Sequence, residues 1–540
     1  NINLSKNNQG DTTSPRFDAP SLKTSFDIDY DWRRNAYPLW SWKLREGSYL
    51  IDKGNNDAYN TYAKGYNGVI GTDLNGTARI VGNIDINAYE FETVPASRIR
   101  YVKTDGSDSN NGQSWGTAYK SIQKAINDLA LSQPGVPGEV WVAAGTYQPT
   151  ELINGSGTPA SFRMYDGISL YGGFIGTETT KSERAREKGT MPWHFDNVTT
   201  LRGSTYNGTN TWNSTDNKWS LTSASTHVVW FAPLPNQADF QNTTVMEGFT
   251  IEGGQAKTSE ANNYEGDKGA GVYMQGANVY LIHSIVKDNV APSVGGGIYL
   301  KDGRVQGCLV YNNSSETNGG GIYVDNAGLV LRSMITNNSA LNGGGVYLDN
   351  NGEWEDGMMH PEYLILSTSI VTNNTSVHNG AVYCNKGGVI LQSTIANNNT
   401  PTATDNAAGD ASQTGGLYIN EYSTVVNTVL WNNLINGRKV QLYALNPTAE
   451  KVQFHYSAVA NMNNIVWNNT LQDGLLELSE ENRNSAEGVV DPGFESGYPI
   501  EQKENENDPE KLISGVIGSW KDITYFWQLI TGSNLRARGM

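Results

Sequence analysis

A short motif of two small residues, an aliphatic, a tyrosine and a second aliphatic returns six times in one half of the chain. It reads GAGVYM at 269–274, GGGIYL at 295–300, GGGIYV at 319–324, GGGVYL at 343–348, NGAVYC at 379–384 and TGGLYI at 414–419. The tyrosines are Tyr273, Tyr299, Tyr323, Tyr347, Tyr383 and Tyr418, at spacings of 26, 24, 24, 36 and 35 residues. A base step of 24 with two longer steps predicts one structural coil per repeat, with insertions expelled from some coils. In phase with it runs a second ladder: Cys308, Val310, Asn312; Ser333, Ile335, Asn337; Ser369, Val371, Asn373; Ser393, Ile395, Asn397. Alternation of this kind is that of short strands, and Gly- or Asn-rich corners between them suit stacked parallel strands rather than hairpins. The fold class predicted is all-β, a parallel β-helix solenoid in which equivalent residues of successive coils lie about 4.8 Å apart.

The two faces of each strand follow from the period. Ile298, Ile322, Val346, Val382 and Leu417, with Leu300, Val324, Leu348, Cys384 and Ile419, are expected to fill the core, and the tyrosine between each pair to point outward. Asn312, Asn337, Asn373 and Asn397 are expected to point inward and satisfy corner backbone groups. Composition agrees with a turn-rich β protein: 59 Gly and 60 Asn accompany only 17% charged residues, against roughly 25% in an average domain. Cys308 and Cys384 fall on different ladders three coils apart, beyond disulfide reach, and read as buried free thiols.

The ends of such a stack need protection, because a terminal coil exposes core and unpaired strand edges. Ile122, Ala125, Ile126 and Leu129 have helical spacing, so a capping helix is expected there, with Thr117 as its N-cap and Glu139–Ala144 as the first coil strand.

The segments YVKTDGSDSNNGQSWGTAYKSIQKAI (101–126), GEVWVAAGTY (138–147), DGISLYGGFIGTE (166–178) and MEGFTIEGG (246–254) closely resemble right-handed parallel β-helix surface proteins of the pectin-lyase-like superfamily. The resemblance covers about residues 101–475 and implies the fold more than the activity, since this fold hosts lyases, hydrolases, adhesins and phage spikes alike. A second stretch, GTDLNGTARIVGNIDINAYEFE at 71–92, looks like the closing motif of choice-of-anchor Q surface domains through Asp73, Gly76, Arg79, Gly82, Asp85, Ala88, Tyr89 and Glu90, with Asn87 in place of the usual Gly. Trp42, Leu44, Gly47, Ser48, Leu50 and Gly54 match Trp527, Leu529, Gly532, Ser533, Leu535 and Gly539 at a constant offset of 485. The expected organisation is therefore a segment of a tandem array. Residues 1–93 end one unit, 94–135 are linker and capping helix, 136–477 the β-helix and 478–540 the start of the next closing module. The solenoid would thus be flanked by partial closing β modules.

Charge restricts the partners. A formal net charge of −17 repels phosphate backbones and anionic surfaces, so nucleic acid is not expected as a partner, and no run of about 18 apolar residues suits direct membrane insertion. Two features invite a ligand. The outward tyrosines, Tyr273 through Tyr418, could stack on sugar rings or bury against a partner; the favoured alternative is that they suit a strand surface and stack on one another for stability. Asp302, Asp325 and Asp349 each follow a tyrosine strand and could line up to hold Ca²⁺, although each sits in a turn where Asp is routine. Asp105, Asp108, Asn110 and Asn111 form a second Asx-rich loop with the same two readings. The six His show no metal-ligand spacing, and the coils lack the acidic pairs of β-helix polygalacturonases. No catalytic residue is nominated and no cofactor is required, Ca²⁺ being the one candidate.

These readings, with the two resemblances, imply a non-catalytic module of an extracellular bacterial cell-surface protein or adhesin. Its partners would be a glycan or a cell-surface protein and other repeat units of the same chain. The alternative from another class is a polysaccharide lyase or glycoside hydrolase acting along the β-helix groove, and a phage or fibre component is a third.

Overall fold

A computed structural model describes residues 95–150, 161–186, 191–203, 225–234, 237–257, 266–350, 364–401, 413–420 and 423–445, with the backbone of short strands at 211–213, 218–220, 452–455, 458–459, 465–467, 476–478 and 483–484. The chain divides into two compact units, Asn1–Pro95 and Ala96–Met540. The elements below belong to the second, and the closing module expected at 1–93 lies outside the described residues.

Parallel pairing carries the architecture. Three sheets of 20, 11 and 7 strands run along one axis, the strands of each sheet joined to the coils before and after. One coil consists of Ile298–Gln306 in the broad sheet, Leu309–Tyr311 in the second and Ser314–Ser315 in the third. The next repeats it with Ile322–Leu331, Met334–Thr336 and Ser339–Asn342. Their register places Ile298 on Ile322 and Tyr299 on Tyr323. It continues through Val346 and Tyr347, Val382 and Tyr383, and Leu417 and Tyr418. This is the right-handed parallel β-helix that the resemblance implied.

The inward aliphatics form one continuous core with the predicted membership, from Ile298 and Leu300 to Leu417 and Ile419, each fully buried. At the amino end the helix Ile122–Ser132 lays Ile122, Ala125, Ile126 and Leu129 into the same core. Its N-cap is Ser121, whose hydroxyl accepts from the Lys124 amide; the expected cap, Thr117, lies in a separate 3-10 turn, Trp115–Thr117. Arg98 fixes the far end of the helix by donating to the carbonyls of Leu129, Val136 and Pro137. The first coil strand also comes earlier than expected. Ile99–Val102 precedes the helix and pairs in parallel with Gly138–Ala143, so the cap is inserted between the first two strands of the broad sheet. At the other end strand pairing runs past 477, to Arg483–Asn484 in the second sheet.

The amide ladder is displaced by one residue from its expected place. Asn312, Asn337, Asn373, Asn397 and Asn432 adopt φ between 50° and 55°, the left-handed corner conformation that Asn tolerates. A left-handed residue resets the alternation of a strand, so the residue after it turns inward. Asn289, Asn313, Asn338, Asn374, Asn398 and Asn433 are the buried ladder. Each passes its side-chain amide to the next: Asn313 to Asn338 at 3.0 Å, Asn338 to Asn374 at 3.0 Å, Asn374 to Asn398 at 3.1 Å and Asn398 to Asn433 at 2.8 Å. Each backbone N–H donates to the same oxygen, as from Asn313 to Asn338 at 3.0 Å.

A parallel hydroxyl ladder places Ser333, Ser369 and Ser393 one above another, and Cys308 occupies a rung of it. Its thiol faces the Gln306 carbonyl at 3.4 Å, where Ser333 donates to the Leu331 carbonyl.

The displacement has a direct test. Asn338→Leu strips partners from buried groups on both neighbouring coils and is expected to lower the unfolding free energy by about 2–4 kcal/mol. Asn337→Gly keeps the left-handed corner and is expected to stay within about 1 kcal/mol of the parent. Urea unfolding of both variants reads the difference; equal destabilisation would show that the ladder is misplaced.

Candidate functional surface

The tyrosines do form a single file outside the main core. From Tyr273 to Tyr299, Tyr323, Tyr347, Tyr383 and Tyr418 the ring centroids step by 4.9, 5.8, 5.2, 4.6 and 4.6 Å, with interplanar angles of 16° or less. Two rings not read from the sequence extend it. Trp230 stacks on Tyr273 at 4.5 Å and Tyr443 on Tyr418 at 5.1 Å. Both sit in aliphatic–aromatic–aliphatic triplets, VWF at 229–231 and LYA at 442–444, which lack the glycines that marked the other coils.

The file is largely buried. Tyr273, Tyr299, Tyr323, Tyr347 and Tyr418 are 3–7% exposed, and only Tyr383 is half-buried. Ring faces contact ring faces, because register stacks them at the separation of the backbone.

The acidic row is corrected by register. Asp325 stands on Asp349, but the residue in register with Asp325 on the preceding coil is Lys301. Asp302 falls in the irregularity between Lys301 and Gly303, with φ 62°, and answers to Asn326, φ 68°, whose amide donates to it at 3.3 Å. Asp302, Asp325 and Asp349 are therefore not one row. Asp325 accepts the Tyr299 hydroxyl, and Asp349 accepts that of Tyr323 together with the Asn385 amide at 2.8 Å. Burial, then Asp349, raises the Tyr323 phenol far above its ordinary range, and the same two causes followed by Cys384 push Tyr383 up to about 12. Among the described residues no three His, Cys, Asp or Glu side chains are grouped as a metal site.

In the Asx-rich loop, Asp108 accepts the amides of Lys120 and Ser121 at 3.0 and 2.8 Å, and Asn110 donates to the Ala118 carbonyl at 3.1 Å. These side chains close a turn against the capping helix. Cys308 and Cys384 are buried free thiols, each pushed by burial up to about 12 and so far from the thiolate form.

A charged cluster on the first coils has no motif in the sequence. The segment 181–186 lies over the outer face of the broad sheet, where Lys181 meets Glu139 at 2.6 Å. Glu247 receives Arg184 at 3.3 Å, Arg186 at 3.0 Å and His283 at 2.9 Å. Lys181 also lies 4.3 Å from the Tyr171 ring and Arg186 3.9 Å from Phe195. Burial alone would raise the Glu247 carboxyl, but Arg184, His283 and Arg186 together hold it well below the usual range. A carboxylate so held is a poor proton acceptor, and the cluster acts as a clamp that fastens the segment to the sheet.

Solved structures share the fold. Pectate lyase Pel9A aligns over 82% of this chain and 92% of its own, at 13% identity and a TM-score of 0.31. The mannuronan C-5 epimerase AlgE4 A-module of Azotobacter vinelandii aligns over 67% and 96%, at 12% identity and a TM-score of 0.28. Pectin methylesterase PemA of Erwinia chrysanthemi covers 72% and 94%, at 12% identity and a TM-score of 0.26. No family model and no curated protein matches the chain. At such identities the likeness is one of fold alone.

Asp302 gives this surface a pH signature. Burial raises its carboxyl to about 6 against the pull of Lys301 and the Asn326 hydrogen bond, with Asp325 and Asp239 adding to the rise. A carboxyl raised on folding weakens the native state as pH climbs from about 4 through 6. Asp302→Asn, which restores the residue found at Asn326, should add about 1–3 kcal/mol at pH 7 and nothing below pH 4. Urea unfolding at the two pH values checks this; a gain of the same size at both would refute it.

Proposed function

We propose that the chain is a non-catalytic segment of an extracellular bacterial surface protein. On this reading the solenoid is a stiff rod that holds a face for a glycan or a surface protein away from the cell and joins further units of the same chain. The observation that carries the reading is the unbroken file of eight stacked aromatic rings, Trp230 to Tyr443, in register with the buried Asn ladder. Side chains repeated on every coil serve the length of a rod, where a catalytic site would need one coil to differ from its neighbours.

The carboxylates favour the same reading. Asp325 and Asp349 are engaged by phenols, Glu139 by Lys181 and the Trp141 indole, and Glu247 by three basic side chains. Lyase or hydrolase chemistry requires groups free to take or give a proton.

Incubation with acidic and neutral polysaccharides, with and without Ca²⁺, separates the two classes. The expected result is neither ultraviolet-absorbing unsaturated product nor new reducing ends, together with retained binding to a glycan or cell surface. Unsaturated product would establish the lyase, and new reducing ends the hydrolase.

A further inference from the structure

Four Arg and Lys residues among those described are buried as whole residues: Arg98, Arg100, Lys287 and Arg304. Three have evident partners. Arg98 donates to three backbone carbonyls, Arg100 meets Asp128 at 2.5 Å, and Lys287 lies 3.4 Å from both Glu252 and Asp288. Arg304 differs. It is 5% exposed, its guanidinium lies 4.9 Å from the Tyr280 ring, and its buried Nε has no hydrogen-bond partner; no carboxylate lies within ion-pair reach of it among the described residues.

Two residues along the same strand and on the same face, Gln306 is 3% exposed, and its buried Oε1 likewise has no partner. Register places Arg304 between Tyr280 and Leu329, and Gln306 between Ile282 and Leu331. Both polar groups thus stand on the outer face of the broad sheet among largely apolar neighbours. Buried cations are ordinarily paired and buried amides ordinarily bonded, so a donor and an acceptor orphaned side by side call for a complementary molecule.

The chemistry of that molecule follows from the two groups. A guanidinium fork accepts a planar carboxylate through parallel N–H donors, while a Gln oxygen needs a donor such as a hydroxyl. Alternate residues of a strand lie about 7 Å apart, a span that converging side chains and a molecule of several carbon atoms can bridge. We infer that Arg304 and Gln306 form a binding site for a hydroxylated carboxylate, the carboxylate on Arg304 against the Tyr280 ring and a hydroxyl on Gln306. The site is independent of the rod-like role proposed above; it lies apart from the tyrosine file and adjoins the Glu247 clamp, whose His283 donates its backbone N–H to the Gln306 carbonyl at 3.0 Å.

Isothermal titration of the full chain with gluconate, acetate and sorbitol tests the assignment. Gluconate carries both groups, acetate only the carboxylate and sorbitol only hydroxyls. Gluconate is expected to bind at least about tenfold more tightly than acetate, and sorbitol not at all. Arg304→Met should abolish gluconate binding while leaving the ligand-free thermal midpoint equal or higher, since an unpaired buried charge has been removed. Arg304→Lys keeps the charge without the fork and should bind gluconate about fivefold or more weakly. Gln306→Leu should erase the preference for gluconate over acetate. A folded parent chain that takes up no gluconate, or an Arg304→Met variant that binds it as well as the parent does, would overturn the site.

Discussion

Parallel strands stacked in register impose one demand on every coil: whatever one coil presents, the next presents about 4.8 Å away. Identical apolar groups satisfy it by packing, identical aromatic rings by stacking, and identical amides by donating to the next rung with one group and accepting from the previous rung with another. The Asn313 to Asn433 ladder uses the last solution fully. Each side-chain oxygen takes both an amide N–H and a side-chain N–H from the coil before it, so corner groups that turn away from the sheets are still bonded. Insertions must leave this register untouched. The extra length of the 36-residue step falls in sequence between Asp349 and Leu364, and that of the 35-residue step between Thr400 and Thr414. These are different corners of the coil, yet Val346, Val382 and Leu417 remain aligned across both.

Most of the solenoid was legible because its periodicity is strict where the core is strict. Gly-Gly-aliphatic-Tyr-aliphatic reports a corner, an inward residue, an outward ring and a second inward residue in one string. Legibility failed where geometry departs from alternation. Asn337 and Asn338 are neighbours of one type, and only the positive φ of the first decides that the second faces inward. The strand Ile99–Val102 carries no coil motif and is separated from its partner by the capping helix, so its pairing is not visible in any repeat. Trp230 and Tyr443 occupy rungs whose flanking glycines are missing, so the string that marks the other coils is absent there.

The surface was less legible, for reasons of distance and burial. The Glu247 clamp joins side chains more than 60 residues upstream and 36 downstream, and no local spacing encodes such a meeting. Arg304 and Gln306 look like ordinary outward residues of a strand. Their significance arises only from burial without a partner, which the residues themselves do not announce. The tyrosines present the opposite case: the sequence shows their direction correctly but not that their faces are consumed by one another.

The composition of the row beside the tyrosines shows how stacking limits charge. Along the broad sheet it reads Lys301, Asp325, Asp349, then Asn385 and Asn420, the last two bonded in series to Asp349 at 2.8 and 3.0 Å. Two like charges about 5 Å apart repel by about 3 kcal/mol at an effective dielectric near 20. A row of carboxylates on every coil would accumulate that repulsion, whereas a pair can be relieved locally. Here the relief comes from the Asn385 amide on Asp349 and from a phenol donated to each carboxylate by the tyrosine of the preceding coil, while the row carries Lys301 rather than a third acid in register before Asp325. Because each phenol reaches forward to the next coil's carboxylate, the aromatic file and the acidic pair are mutually fixed. A cation entering between Asp325 and Asp349 would have to compete with the phenol and amide hydrogen bonds that already occupy their oxygens.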